Sequence, residues 1–216
     1  MIFVIGGIKG GSGKTTIATN LAVMRSQHTK VLLVDADEQK SAWDWSQQRD
    51  QCLIERNISI KPHIPITTVC MSGKAIFSNL LRIKQDYDDI IVDTGGRDTT
   101  SQRSALCIAD KLLLPFKPSS IDIWTLFPLK EILYECVNPN LKVYAMINQA
   151  DAVGKDNQEA IEILKEFAEI QTLECTIGNR KAFRNAAAEG FGVEELFPID
   201  KKACQEMQSL YDLIYN

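Results

Sequence analysis

Several things are scarce in this sequence, and each scarcity removes a class of function. Of 216 residues only His28 and His63 are histidines, and the six cysteines (Cys52, Cys70, Cys107, Cys136, Cys175 and Cys204) stand singly, with no C-x-x-C pair. That spacing argues against a zinc centre and for buried or idle thiols. Basic excess is also missing: 24 Lys+Arg against 28 Asp+Glu give a formal charge of -4. No overall basic field draws in nucleic acid, so any such binding has to use a local patch. The opening "MIFVIGG" has no basic lead, and no long apolar run follows. Neither a signal peptide nor a membrane span is expected, and a cytoplasmic protein with reduced thiols is the expectation.

What is present is a repeating alternation. Short apolar runs, "IFVIGG" near residue 2, "KVLLVDAD" at 30, "DDIIVDTGG" at 88, "DKLLLPF" at 110 and "LKVYAMIN" at 141, are separated by stretches of helical periodicity. A weaker run, "TLECTIG" at 172, is a candidate to close the sheet. The pattern predicts an α/β protein with a mostly parallel central sheet flanked by helices, in one domain spanning residues 1–216. Helices are predicted over Thr15 to Arg25, Asn157 to Ala168 and Lys201 to Tyr215, where apolar residues recur on one face. Residues 52 to 70, with Pro62 and Pro65 among β-branched residues, read as a short strand with loops.

The stretch "IKGGSGKTT", Ile8 to Thr16, stands between the first strand and the first helix. Gly10, Gly11, Ser12, Gly13, Lys14, Thr15 and Thr16 there form a glycine-rich turn whose backbone N–H groups and helix N-terminus can face an anion. In such a P-loop NTPase, Lys14 reaches the β and γ phosphates and the Thr15 hydroxyl completes a Mg²⁺ shell. Asp93, after three apolar residues in "DDIIVDTGG", fits the carboxylate that supports the metal. Asp35 and Asp37, in "VLLVDADEQ", are expected to divide two tasks, one supporting the metal shell and the other meeting an attacking water. Capping of the next helix is a competing reading of this pair.

The motifs K-G-G-x-G-K-T-T, V-D-x-D-x-Q and I-I-V-D-T together resemble the deviant Walker A ATPases of the ParA/MinD type, and most closely the short ParA partition ATPases. The resemblance runs from Ile2 through "CTIGNRKAFRNAAAEGFGVEEL". It implies that Lys9 is the signature lysine that crosses an ATP-bound homodimer to the partner's phosphates. It also implies that Asp37 sets up the hydrolytic water, that Asp35 is the metal-side partner and that Asn148 recognises adenine. Glu38 stands where the family usually has proline, which leaves the loop less rigid.

The same resemblance implies an ATP-hydrolysing partition protein, nucleoid-associated, that binds DNA non-specifically and works with a ParB-like centromere-binding adaptor. The alternative reading is a ParA-like positioning ATPase for a non-DNA cargo such as a protein compartment or the division machinery. A metabolic P-loop ligase shares the fold class, but no second substrate motif is evident. Arg180, Lys181 and Arg184, three basic residues within five positions, are the DNA-contact candidates, against the alternative of an ordinary solvated face. The ending "KKACQEMQSLYDLIYN" has too little positive charge for a membrane-lying helix and reads as a packed one. With no helix-turn-helix segment before Ile2, sequence-specific operator binding is not expected of this chain. Slow turnover without a partner is expected too, Arg97 and Arg103 being the only candidates for a built-in arginine finger.

Overall fold

The computed structural model describes residues 1–56, 65–118, 126–152 and 155–216. Seven strands form one sheet in the order β3-β2-β4-β1-β5-β6-β7, and every pairing among the described residues is parallel. The strands are β1 Ile2–Ile5, β2 Val31–Ala36, β3 Thr67–Cys70, β4 Asp89–Thr94, β5 Lys111–Phe116, β6 Lys142–Ala150 and β7 Gln171–Gly178. The described helices are α1 Lys14–Ser26, α2 Ser41–Glu55, α3 Ala75–Ile83, α4 Thr100–Leu106, α5 Leu126–Glu135, α6 Asp156–Lys165, α7 Lys181–Ala188 and α8 Lys201–Tyr215.

The apolar runs of β1, β2, β4, β5 and β6 become strands buried on both faces, because a parallel sheet is covered by its own crossover helices. At the sheet edge, β7 alternates buried and more exposed residues. Alternation sends Ile2 and Val4 into one core with Leu80 of α3, Leu106 of α4, Leu129 of α5 and Leu164 of α6. Phe3 and Ile5 enter the opposite core with Leu21 of α1, Trp45 of α2, Phe183 of α7 and Leu210 of α8. Both layers hold the carboxyl ends of β1, β2 and β4 at the same level, with Asp35 and Ile5 each in register with Asp93. That edge is where open parallel sheets bind ligands.

All six predicted runs are strands, and the sheet is parallel throughout rather than mostly so. The short strand expected within residues 52 to 70 is β3; residues 57–64 of that stretch lie outside the described ones. The helix expected to reach Ala168 ends at Lys165. Beyond it, tight turns with Phe167 N–H on the Leu164 carbonyl and Ile170 N–H on the Phe167 carbonyl bring Ile170 into the core. The last helix has the predicted bounds and is packed, burying Ala203, Met207, Leu210 and Ile214. None of the described helices is long and apolar enough to cross a membrane.

Candidate functional site

The loop between β1 and α1 owes its path to glycine. Gly11 and Gly13 have φ of +76° and +88°, in the left-handed region that side chains disfavour. Gly13 caps α1, and a Cβ there would collide with the Asn148 amide nitrogen. The loop after β4 presses on the same turn, since a Cβ on Gly96 would stand 2.5 Å from the Gly10 backbone. Asn148 donates to the Ser12 carbonyl at 2.6 Å, and its neighbour Gln149 donates to the Gly11 carbonyl at 2.8 Å. The turn is thus held open from two sides, by β4 and by β6.

Lys14 is only 6% exposed, and its ammonium donates to the Lys9 carbonyl at 3.0 Å. Burial lowers its pKa, while Asp93 and Asp37 pull it back up. Below it, the Thr15 hydroxyl donates to Asp93 Oδ2 at 2.7 Å. Asp93 is fully buried, and desolvation pushes its pKa up to about 7, with nearby Asp35 and Asp37 adding to the rise and Thr15 and Lys14 opposing it. Its other oxygen, Oδ1, is buried without a hydrogen-bond partner. A hydroxyl, a desolvated carboxylate and an unsatisfied carboxylate oxygen at one point are the donor set that a hard, oxygen-seeking divalent cation satisfies.

Asp35 and Asp37 have different surroundings. Asp35 is buried, and both its oxygens are taken by backbone donors, Oδ1 by Asp37 N–H at 3.0 Å and Oδ2 by Trp43 N–H at 2.8 Å. In this state its carboxylate holds the turn into α2, the capping alternative, and burial raises its pKa against those bonds. The half-buried Asp37 accepts from Gln39 N–H at 3.1 Å, and its carboxylate lies over Gly95, where a Cβ would approach to 3.2 Å. Of the two, Asp37 is the one turned toward the loop after β4.

A cleft of about 210 Å³ opens beside Gly13 and Thr16, lined also by Asn148, Asn179, Phe183 and Arg184. It is smaller than the roughly 300–1,000 Å³ of whole-ligand pockets. It can take one end of a nucleotide whose phosphates lie on the glycine turn. Arg180 and Arg184, two of the three DNA-contact candidates, line this cleft. Arg180 is moreover engaged, with Nε and Nη2 donating to the two Glu206 oxygens at 2.9 and 2.5 Å. Lys181 is exposed at the start of α7. Arg103, a finger candidate, is held by Asp98 at 2.7 and 2.6 Å and also pairs with Glu135, so its guanidinium is occupied.

Sequence reasoning missed Gln102. Fully buried in α4, it accepts from Gly7 N–H at 3.0 Å and from the Thr94 hydroxyl at 2.9 Å. It therefore ties the start of the glycine turn to the end of β4. A lone glutamine in a seven-residue polar helix carries no signal of this in the sequence.

The family described as the CobQ/CobB/MinD/ParA nucleotide binding domain matches residues 3–193. Two curated relatives are each named maintenance of carboxysome distribution protein A. The one from Halothiobacillus neapolitanus is 27% identical over 215 residues, covering 95% of this chain and 92% of that protein. The one from Gloeobacter kilaueensis is 30% identical over 190 residues, covering 86% and 80%. Among solved structures, a plasmid partition protein of Borrelia burgdorferi bound to AMPPNP superposes with a TM-score of 0.73 at 21% identity, over 99% of this chain and 97% of that one.

Proposed function

Since the chain belongs to the CobQ/CobB/MinD/ParA nucleotide binding domain family, we propose that it is an ATP-hydrolysing positioning protein of the ParA/MinD kind, acting on a cargo other than DNA. The observation that carries the nucleotide chemistry is the bond from Thr15 to buried Asp93, whose other oxygen is unsatisfied, beside Lys14 and the glycine turn. The cargo reading rests on the two relatives whose names concern carboxysome distribution. It reverses the preference that the sequence motifs alone gave to plasmid partition.

Bound Mg²⁺ would be held by Thr15 and Asp93, with Asp35 behind them, and would neutralise charge on the phosphate oxygens. Backbone N–H groups of Gly10 to Thr16 would receive the phosphates at the N-terminus of α1. Lys14 would exchange its bond to the Lys9 carbonyl for a phosphate oxygen, an ionic partner in place of a neutral one. Asp37, with its carboxylate free of the α2 cap, would orient the attacking water, while Asn148 and the cleft beside it would take the base. Lys9 would reach the phosphates of a second protomer. Two unit charges at about 4 Å attract by ~4 kcal/mol at an effective dielectric near 20, before desolvation. ATP would in this way hold two protomers together and hydrolysis would part them.

A second reading, plasmid partition with non-specific DNA and a ParB-like adaptor, is kept because the AMPPNP-bound neighbour is named for plasmid partition. Removing the gene from its host separates the two. Loss of even spacing of a protein assembly, with plasmid inheritance unchanged, is the expected result. Plasmid loss with normal spacing of such assemblies would return the chain to partition.

A further inference from the structure

Cys107, just after α4, and Cys136, just after α5, both donate to the carbonyl oxygen of Arg103, at 3.2 and 3.6 Å. Two sulfurs on one acceptor are neighbours, although the residues are far apart in sequence. Cys107 is exposed and Cys136 buried. The polypeptide around them is clamped: Arg103 of α4 pairs with Glu135 of α5. Asn138 Nδ2 bonds the Leu106 and Ala109 carbonyls at 2.8 and 2.9 Å. The clamp holds the two thiols together.

We propose that Cys107 and Cys136 are a reversible oxidation site whose disulfide fastens α4 to α5. Cys107 meets the oxidant and Cys136 resolves it. With hydrogen peroxide as oxidant, the Cys107 thiolate attacks one peroxide oxygen, the O–O bond breaks, a sulfenic acid forms and hydroxide leaves, taking a proton to become water. The Cys136 thiolate then attacks the Cys107 sulfur, the S–S bond forms and the S–OH oxygen leaves as a second water after protonation. Two thiols are oxidised and one peroxide is reduced. Thiol exchange with a small reductant reverses the bond.

The division of labour follows from the surroundings. Burial pushes the Cys136 thiol up to about 11; Cys107 and Glu135 add to the rise and Arg103 opposes it. Cys136 is thus a poor first nucleophile near neutral pH, and its resolving step should quicken by about tenfold per pH unit as its thiolate fraction grows. The bond also reaches the nucleotide site, because Gln102 on the same helix accepts from Gly7 of the glycine turn. That coupling rests on the proposed nucleotide function; the disulfide itself does not.

The test treats the reduced full-length chain with hydrogen peroxide at low protein concentration, blocks remaining thiols and maps the peptides. A Cys107–Cys136 linkage that dithiothreitol removes is expected, with Cys136→Ser instead leaving a Cys107 sulfenic acid that dimedone traps. Cys107→Ser, at an exposed position, guards against a folding defect in the buried variant and should give no linkage to Cys136. Absence of the linkage in wild type, or equal linkage of Cys136 to exposed Cys70, overturns the site. Affinity for a fluorescent ATP analogue should differ by about fivefold or more between reduced and oxidised wild type, the lower end of ordinary allosteric coupling, and not in Cys107→Ser. Equal affinities overturn the coupling and leave the disulfide standing.

Discussion

Lys14 and Arg180 are both cations near the carboxyl ends of strands in one sheet, and they are held in opposite ways. Lys14 is buried, and its ammonium rests on a neutral backbone carbonyl of its own loop. Arg180 has a fork-to-fork bond with Glu206, a charged partner from α8. An incoming phosphate improves the position of the first and has to break an ion pair to use the second. A count of basic residues does not separate these two cations; the partners each already has do.

The sharpest way to break this contrast is substitution at both ends. Lys14→Ala should weaken ATP binding by about 100-fold or more, the ~3 kcal/mol of a hydrogen bond to a charged group, read by calorimetric titration. Arg180→Ala should change it by less than about threefold, as expected of a partly exposed ion pair. Equal losses would erase the distinction between the two cations.

A second test uses the charge beneath Lys14. The pKa of Asp93 is raised, so the folded protein binds more protons than the unfolded chain between about pH 4 and 7. Stability from this group therefore falls as pH rises through that window and is level above it. Without nucleotide, Asp93→Asn should be more stable than wild type at pH 8, by on the order of 2–4 kcal/mol, with the difference shrinking toward pH 4. Denaturation at several pH values checks this; a variant less stable than wild type at pH 8 would mean that the carboxylate is not strained by burial. Binding of Mg·ATP should move the other way, weakening in Asp93→Asn.

The smallest effect belongs to the Arg180 end. Losing the bond to Glu206 should cost about 0.5–1 kcal/mol of stability, because both side chains keep some solvent contact. A loss well above 2 kcal/mol in urea unfolding would make the pair a buried structural element instead.

The glycine-turn end is legible because its residues are local. Gly10 to Thr16 are consecutive, and β2 and β4 announce themselves as apolar runs ending in Asp35 and Asp93. The remainder depends on residues far apart in the chain. Helix α2, "SAWDWSQQRDQCLIE", is mostly polar, and its place is set by Trp45 in the core and by Arg49 bonded to both Glu195 oxygens at 2.7 Å. Nothing near Arg49 in sequence points to Glu195. The same holds for Gln102 with Gly7, and for Arg180, whose partner Glu206 lies one helix further on. Charge and period are readable from neighbours; partners across the fold are not.

The central claim is that the glycine-turn end is an ATP-driven switch between one protomer and two. Sedimentation velocity of Asp37→Ala in Mg·ATP and in Mg·ADP tests it most directly, with Lys9→Ala in Mg·ATP beside it. Asp37→Ala should be a dimer with ATP and a monomer with ADP, and Lys9→Ala should be a monomer. A monomer in every case, or a dimer indifferent to nucleotide, would contradict it.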